Sequence, residues 1–556
     1  MAEPNEMTAQ SRHSVSPLFL LMVVVPPLAM IGLVNRWVPE PPDEAARLAA
    51  ALKMHNHAAV RDAARKLLEE NPTVPAYHLI YVDTFMTQRG ENAPPASLLE
   101  EYAGWLEHSD PNRRDIGRLV CANIFLKSKQ PDSALLYLQQ IENPRRAYVR
   151  LFEGRALLEQ GRIQEARAAF EAEIQNQGNR ADAVKELAKL FEDHQDTLSL
   201  RQLYENPQVR PFMPAGTVRR LALRCGWPGV YAGAVMLPFR RAAHPVGFLA
   251  AFFILLLWVG FLRRLDLFEP EKFRWVILTV LMGMAASFAV FPLGDWLEML
   301  FSLKPNLSAG TDLLYAVVRI GLVEEAVKLL PVLIILRFTK EINESIDYVI
   351  YASLGALGFA FLENLLYFDR AGLSVIKERG MICCVGHMFY TSLVMYGVVL
   401  ARYGRTGTVW RNALFCFLLA SLFHGLYDFF LMTRFVWEGL RVAAIGLAFL
   451  EVLLYVRILN NSLNQSEYFD ETRASALLRL REGLGAGLVA VVMFEYLATA
   501  LQAGPALTYE KFRGTICFTW LLVFFFASTL GTYNLRRGFW LPWLQKHLQT
   551  KRTFIS

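Results

Sequence analysis

The chain has 556 residues, 54% of them hydrophobic, and a formal net charge of +6. That length exceeds one ordinary domain, and apolar residues gathered into long runs exclude a purely soluble protein. The charge is modest and scattered through loops, so it reads as membrane topology and not as a nucleic-acid surface.

In chain order, the first apolar run is Pro17 to Val34, about the length of one span. Arg12 precedes it, Asn35 and Arg36 follow it, and it lacks a clear small-x-small cleavage site. Residues 1–39 read as a signal-anchor span, with a cleaved signal peptide as the alternative. Residues 40–243 then have the composition of a soluble α-helical domain. Within it, Gly154, Leu157, Gly161, Ala166 and Phe170 follow the small-and-large pattern of a tetratricopeptide repeat (TPR). Weaker copies hold Ala134 and Leu138, and Ala63, Leu67 and Pro75. A TPR-like docking surface is the expectation, and an unrelated helical bundle the alternative. Of the six cysteines, only Cys121 and Cys225 fall in this soluble part. Sequence leaves a disulfide between them open.

From His244 onwards the chain is mostly membrane. Apolar runs lie near 245–262, 275–293, 313–336, 347–368, 381–401, 411–432, 438–457, 483–503 and 514–533. With the first run they predict an all-α, polytopic membrane protein of about ten spans. Residues 244–460 form its core, and 461–556 add further C-terminal spans and a basic tail. Loop lysines and arginines set the orientation. They are dense after the second, fourth, sixth and eighth spans (Arg263, Arg264, Lys272, Arg274; Arg337, Lys340; Arg402, Arg405, Arg411; Arg457, Arg473, Arg479, Arg481) and in the C-terminal tail. The alternate loops hold fewer, among them Lys304, Arg379 and Arg434. Both termini are therefore expected in the cytoplasm and residues 40–243 outside.

Several predicted spans carry ionisable groups, each costing roughly 2.5–3.5 kcal/mol when charged at a helix centre. Glu324 and Glu325 precede Lys328 by four and three residues, which puts all three within reach on one helix side. Two adjacent carboxylates in a low-dielectric site do not both ionise easily, the condition a general acid or base needs. A structural Glu–Lys pair is the plain alternative, and Arg319 in the same span is a candidate further partner. Glu363 follows Phe359 by one turn and has Asn364 beside it. His387 stands alone in its helix, and His424 and Asp428 are i and i+4, so the carboxylate can orient the imidazole. At about 1.5 Å per residue, Glu363, His387 and His424 lie roughly 8, 9 and 12 Å from the outer ends of their spans. Glu324 is nearer mid-depth if its helix starts at Leu313, so four helices present polar groups at a similar level. Glu451 and Glu495 also fall within spans, without an evident role.

These residues resemble the PrsW family of intramembrane proteases, within the superfamily of CAAX-processing and bacteriocin-processing membrane proteases. The matching motifs are E-E-x-x-K at Glu324, Glu325 and Lys328, F-x-x-x-E at Phe359 and Glu363 with Asn364 and Tyr367, a histidine span at His387, and H-x-x-x-D at His424 and Asp428. They cover about residues 245–460. The resemblance implies peptide-bond hydrolysis in or near the membrane. Glu324 or Glu325 would be the base, assisted by Glu363 or His387, and His424, held by Asp428, would donate to the oxyanion. It also implies a bacterial cytoplasmic membrane and an anti-sigma-factor-like single-span substrate, which the TPR-like domain would capture. No cofactor is expected. Zinc on Glu325, His387 and His424 is the alternative, and a transporter or scaffold built on the same polar cluster is the non-proteolytic rival.

Overall fold

The computed structural model describes residues 17–540 except 90–94, 243, 306–307 and 433–437. Arg12, Arg434 and the basic tail from residue 541 lie outside the described residues. Every regular element among the described residues is helical.

The soluble helices run from Glu44 to Ala242. Several begin at a side-chain cap: Asp43, Asn56, Asn179 and Asp196 each accept a backbone N–H three residues on. The hairpin of Val149–Glu159 and Ile163–Gln175 turns at Gly161, whose φ of +76° suits glycine. Its seam is small against large. A Cβ on Gly154 would overlap the Phe170 ring, and Leu157, Ala166 and Phe170 are buried. Ala63, Leu67, Ala134 and Leu138 are buried in their helices too. The open disulfide does not form. All six cysteines are free, Cys121 belonging to one apolar cluster of this region and Cys225 packing on another.

Membrane-region helices are labelled α1 (Pro17–Trp37), α2 (Pro245–Leu265), α3 (Phe273–Ser287), α4 (Val290–Phe301), α5 (Val323–Phe338), α6 (Ser345–Ala371), α7 (Cys384–Arg402), α8 (Val409–Met432), α9 (Glu438–Asn464), α10 (Leu480–Ala503) and α11 (Pro505–Leu530). Among the described residues, eight helical stretches are long and apolar enough to cross a membrane: α2, α3 with α4, α6, the run 373–402 ending in α7, α8, α9 from Val442, α10 and α11. The helical path from Ala309 through α5 is as long, but it carries the charged residues of interest. The run ending in α7 starts earlier than its hydropathy predicts. Its first turns are buried by protein, with Lys377 Nζ 2.6 Å from Glu495 on α10. That pair accounts for Glu495.

Helices α6 and 373–402 are central, and most of their apolar residues are enclosed by protein. Glycines set the close approaches. A Cβ on Gly283 or Gly358 would strike backbone where α3 crosses α6, and one on Gly321 or Gly425 would do so where residues 315–322 cross α8.

The soluble domain is docked on the membrane part. Arg219 donates to both oxygens of the fully enclosed Asp295 on α4, at 2.7 and 3.1 Å, and Tyr231 adds a hydroxyl at 3.0 Å. Arg220 bridges Glu192 and Glu298. Burial acts to raise the Glu192 carboxyl, but the Arg220 guanidinium and the Thr217 hydroxyl hold it below the usual carboxylate range. Arg319 is a correction to the sequence expectation. It donates to Glu298 at 2.9 Å, so it serves this docking network and not the glutamate pair. On the other flank, Ala503 and Leu507 join the apolar cluster of Leu48, Ala51 and Met54.

Candidate active site

Two π-helical segments lead into the site. One, Tyr315–Leu322, precedes Glu324 by two residues, and the other, Arg379–Cys383, precedes His387 by four. Such bulges cluster at functional sites because they re-aim side chains and free backbone groups. With Gly321 and Gly425 allowing residues 315–322 onto α8, Glu325 reaches His424.

Glu325 is fully enclosed, and both its oxygens are bonded. Oε1 accepts from Lys328 Nζ and from His424 Nδ1, each at 2.9 Å, and Oε2 accepts from the Thr391 hydroxyl at 2.9 Å. Glu324 differs. Its side chain is 13% exposed, its Oε2 lies 3.2 Å from Lys328 Nζ and 3.7 Å from His424 Nε2, and that oxygen makes no hydrogen bond. Lys328 is fully buried, reaches His387 Nδ1 at 2.8 Å, and sits 4.5 Å over the Phe359 ring. With Lys328 donating to Nδ1, His387 carries its proton on Nε2 and donates it to Glu363 Oε2 at 2.7 Å. Arg379 binds the same Glu363 oxygen at 2.8 Å and Asn364 Oδ1 at 2.7 Å, and it covers the Tyr367 ring.

The structure thus brings Glu324, Glu325, Glu363, His387, His424 and Asp428 into one cluster with Lys328, Phe359 and Asn364 around it. One expected partnership changes. Asp428 Oδ2 stands 3.6 Å from His424 Nε2, beyond hydrogen-bond length, and the carboxylate that fixes the imidazole is Glu325 on Nδ1. The His424 N–H is committed there, so Nε2 keeps its lone pair in the neutral ring. Donation to an oxyanion from Nε2 requires the imidazolium.

Sequence reasoning missed Thr391, Tyr390 and Arg379. Thr391 and Tyr390 follow His387 by four and three residues, a helical spacing that was readable. The Tyr390 ring stacks on His424 at 4.8 Å, and its hydroxyl donates to Glu451 at 3.0 Å, which gives Glu451 its place. The loop-charge pattern places Arg379 outside the spans, and the structure brings it to Glu363. A cavity of about 20 Å³, room for one water, is lined by Glu363, Arg379, His387, Tyr390, His424, Tyr427, Asp428 and Glu451.

For a metal, the described residues offer Glu324, His387 and His424, whose ligand atoms lie within 4.8 Å of one another. This set replaces the expected one with Glu325, whose oxygens are already satisfied. The donors suit zinc, and Glu325 on His424 Nδ1 is the outer-shell carboxylate such ligands use. Lys328 competes for the same place, its ammonium occupying the His387 Nδ1 lone pair.

The family model described as "PrsW family intramembrane metalloprotease" matches residues 271–456. The chain is similar to proteins named "Protease PrsW". It is 30% identical to that of Clostridioides difficile (strain 630) over 199 residues, 34% of this chain and 81% of the relative. It is 26% identical to that of Geobacillus kaustophilus (strain HTA426) over 175 residues, 31% and 73% of the two chains. It is 24% identical to that of Bacillus subtilis (strain 168) over 172 residues, 31% and 76%. No solved structure matches.

Proposed function

The chain belongs to the PrsW family of intramembrane proteases, multi-pass membrane proteins that cleave peptide bonds, and on that premise we propose that Glu324 is the carboxylate that activates water here. One observation carries this reading. Of the two adjacent glutamates, Glu325 has both oxygens engaged, whereas Glu324 keeps an oxygen with no hydrogen bond beside the Nε2 lone pair of His424.

Glu324 takes a proton from a water, the resulting hydroxide bonds to the substrate carbonyl carbon, and the proton passes to the leaving amine as the C–N bond breaks. Glu325 fixes the tautomer of His424. Lys328 compensates the paired carboxylates. Glu363, braced by Arg379, holds His387.

A second reading keeps the same residues in other roles, favoured by the N, N, O donor set and by the family description. Glu324, His387 and His424 would then hold a zinc ion, which supplies Lewis acidity and a more acidic bound water. Cleavage of single-span reporter proteins by purified protein in lipid separates the two. Activity that persists in chelator and is lost in Glu324→Ala supports the metal-free reading. Activity lost in chelator and restored by zinc overturns it in favour of ligation.

We take α1 and the path from Ala309 to Phe338 as spans too, ten in all, with residues 40–243 on the extracytoplasmic face of a bacterial cytoplasmic membrane. The loop-charge bias supports this orientation. The substrate is a single-span membrane protein whose outer segment meets the TPR-like domain, a role supported by the docking of that domain through Arg219 and Arg220. Shortening the reporter's outer segment is then expected to raise KM with kcat unchanged. An unchanged KM counts against recruitment.

A further inference from the structure

A second cluster of buried carboxylates lies at the end of the membrane region away from the soluble domain. Asp266 follows α2, and Glu344 and Asp347 open α6. All three are at least 95% buried, and one oxygen of each lies within 4.8 Å of the others. Their hydrogen bonding has a common form. Asp266 Oδ2 accepts the Glu271 N–H at 2.6 Å. Asp347 Oδ2 accepts the N–H groups of Asn343 and Glu344, both at 2.8 Å. Glu344 Oε2 accepts the Ser466 hydroxyl. The second oxygen of each, Asp266 Oδ1, Glu344 Oε1 and Asp347 Oδ1, is buried with no partner.

Nearby cations make their bonds elsewhere, Arg263 acting on Asp266 only as a charge beyond ion-pair distance. Arg263 donates to the Glu271 carbonyl, Lys272 pairs with Glu341, and Arg473 donates to the carbonyls of Leu267 and Phe268. No described lysine, arginine or histidine forms an ion pair with any of the three carboxylates. Three carboxylates within 4.8 Å of one another, each fixed through one oxygen and each keeping a buried, unpartnered second oxygen, form the donor arrangement of a cation site with its outer shell already made. A capping box explains one oxygen each of Glu344 and Asp347, and leaves the orphaned ones unexplained.

We propose that Asp266, Glu344 and Asp347 bind a hard divalent cation, Mg²⁺ or Ca²⁺, that clamps the ends of α2, α6 and α9 together. The all-carboxylate donor set selects such ions over zinc or copper. The clamp is separate from the proteolytic cluster, although α6 also carries Glu363 at its other end. Asp266 and Ser466 lie outside the family-matched segment, so the site belongs to this chain's wider architecture.

The test uses the full-length protein in detergent, stripped with chelator and titrated separately with Mg²⁺, Ca²⁺ and Mn²⁺. The readouts are thermal unfolding and bound Mn²⁺ by electron paramagnetic resonance. A saturable rise in Tm and one Mn²⁺ per chain are expected. Glu344→Gln and Asp347→Asn should each abolish both, while unfolding at a higher Tm than wild type in chelator, because each removes a repelling charge. His387→Ala should keep both responses. No response in the wild type, or a response that survives both amide variants, overturns the proposal. A response lost only in His387→Ala assigns the ion to the proteolytic cluster instead.

Discussion

Glu324→Gln is expected to lower reporter cleavage by about 10²- to 10⁴-fold, the range lost with a general base, while thermal unfolding stays near the wild-type value. The side chain is partly exposed, and its contacts with the protein are an ion pair with Lys328 at 3.2 Å, which retains Glu325 and His387 as partners, and a 3.7 Å approach to His424 Nε2. The amide keeps the shape and cannot accept the proton. Rate and stability should therefore separate in this variant, as measured by initial cleavage rate and Tm on the same preparation. Wild-type cleavage by Glu324→Gln would remove Glu324 from the reacting centre.

Glu325→Ala should behave in the opposite way, with stability falling first. Its carboxylate joins α5, α7 and α8 through Lys328, Thr391 and His424. Removing it leaves the Thr391 hydroxyl and the His424 N–H buried without their acceptor and takes from the buried Lys328 its closest carboxylate, and breaking a buried pair of this kind costs about 3–5 kcal/mol. We expect a large drop in Tm, poor recovery of folded protein and no cleavage. Glu325→Gln, which preserves volume and one acceptor, should recover part of the stability but not the rate, because His424 loses the carboxylate that fixes its tautomer. A Glu325→Ala protein as stable as wild type would contradict the central placement of this residue.

The contrast between two neighbouring glutamates was not legible in the sequence. E-E-x-x-K shows that both carboxylates lie within reach of one lysine, and it says nothing about which of them faces His424 on a distant helix. The helices themselves were legible, because apolar runs of span length have few alternatives in lipid. So was the gathering of Glu363, His387 and His424, from their similar depth in neighbouring spans. The π segments before Glu324 and His387 were not, since no residue pattern in Tyr315–Leu322 or Arg379–Cys383 marks an extra backbone residue. They rotate the following side chains relative to a regular helix. Arg319 was misassigned for a related reason. It shares a helical path with Glu324, but the packing of α4 on that path supplies Glu298 as its partner at 2.9 Å. Asp428 was paired with His424 on i, i+4 spacing, and Glu325, 99 positions away, holds the shorter bond.

The most direct measurement is the position of the cut. Glu363 and His424 each lie eight residues from the near end of their helices, about 12 Å at the rise of an α-helix, so hydrolysis should occur inside the membrane on the side of the soluble domain. Purified protein in liposomes would be given a single-span reporter and the fragments sized by mass spectrometry. Wild-type cleavage is expected within the transmembrane segment, in its half nearest the soluble domain, and none with Glu324→Gln. Cleavage confined to the aqueous segments or to the opposite half, or equal cleavage by both proteins, would contradict it.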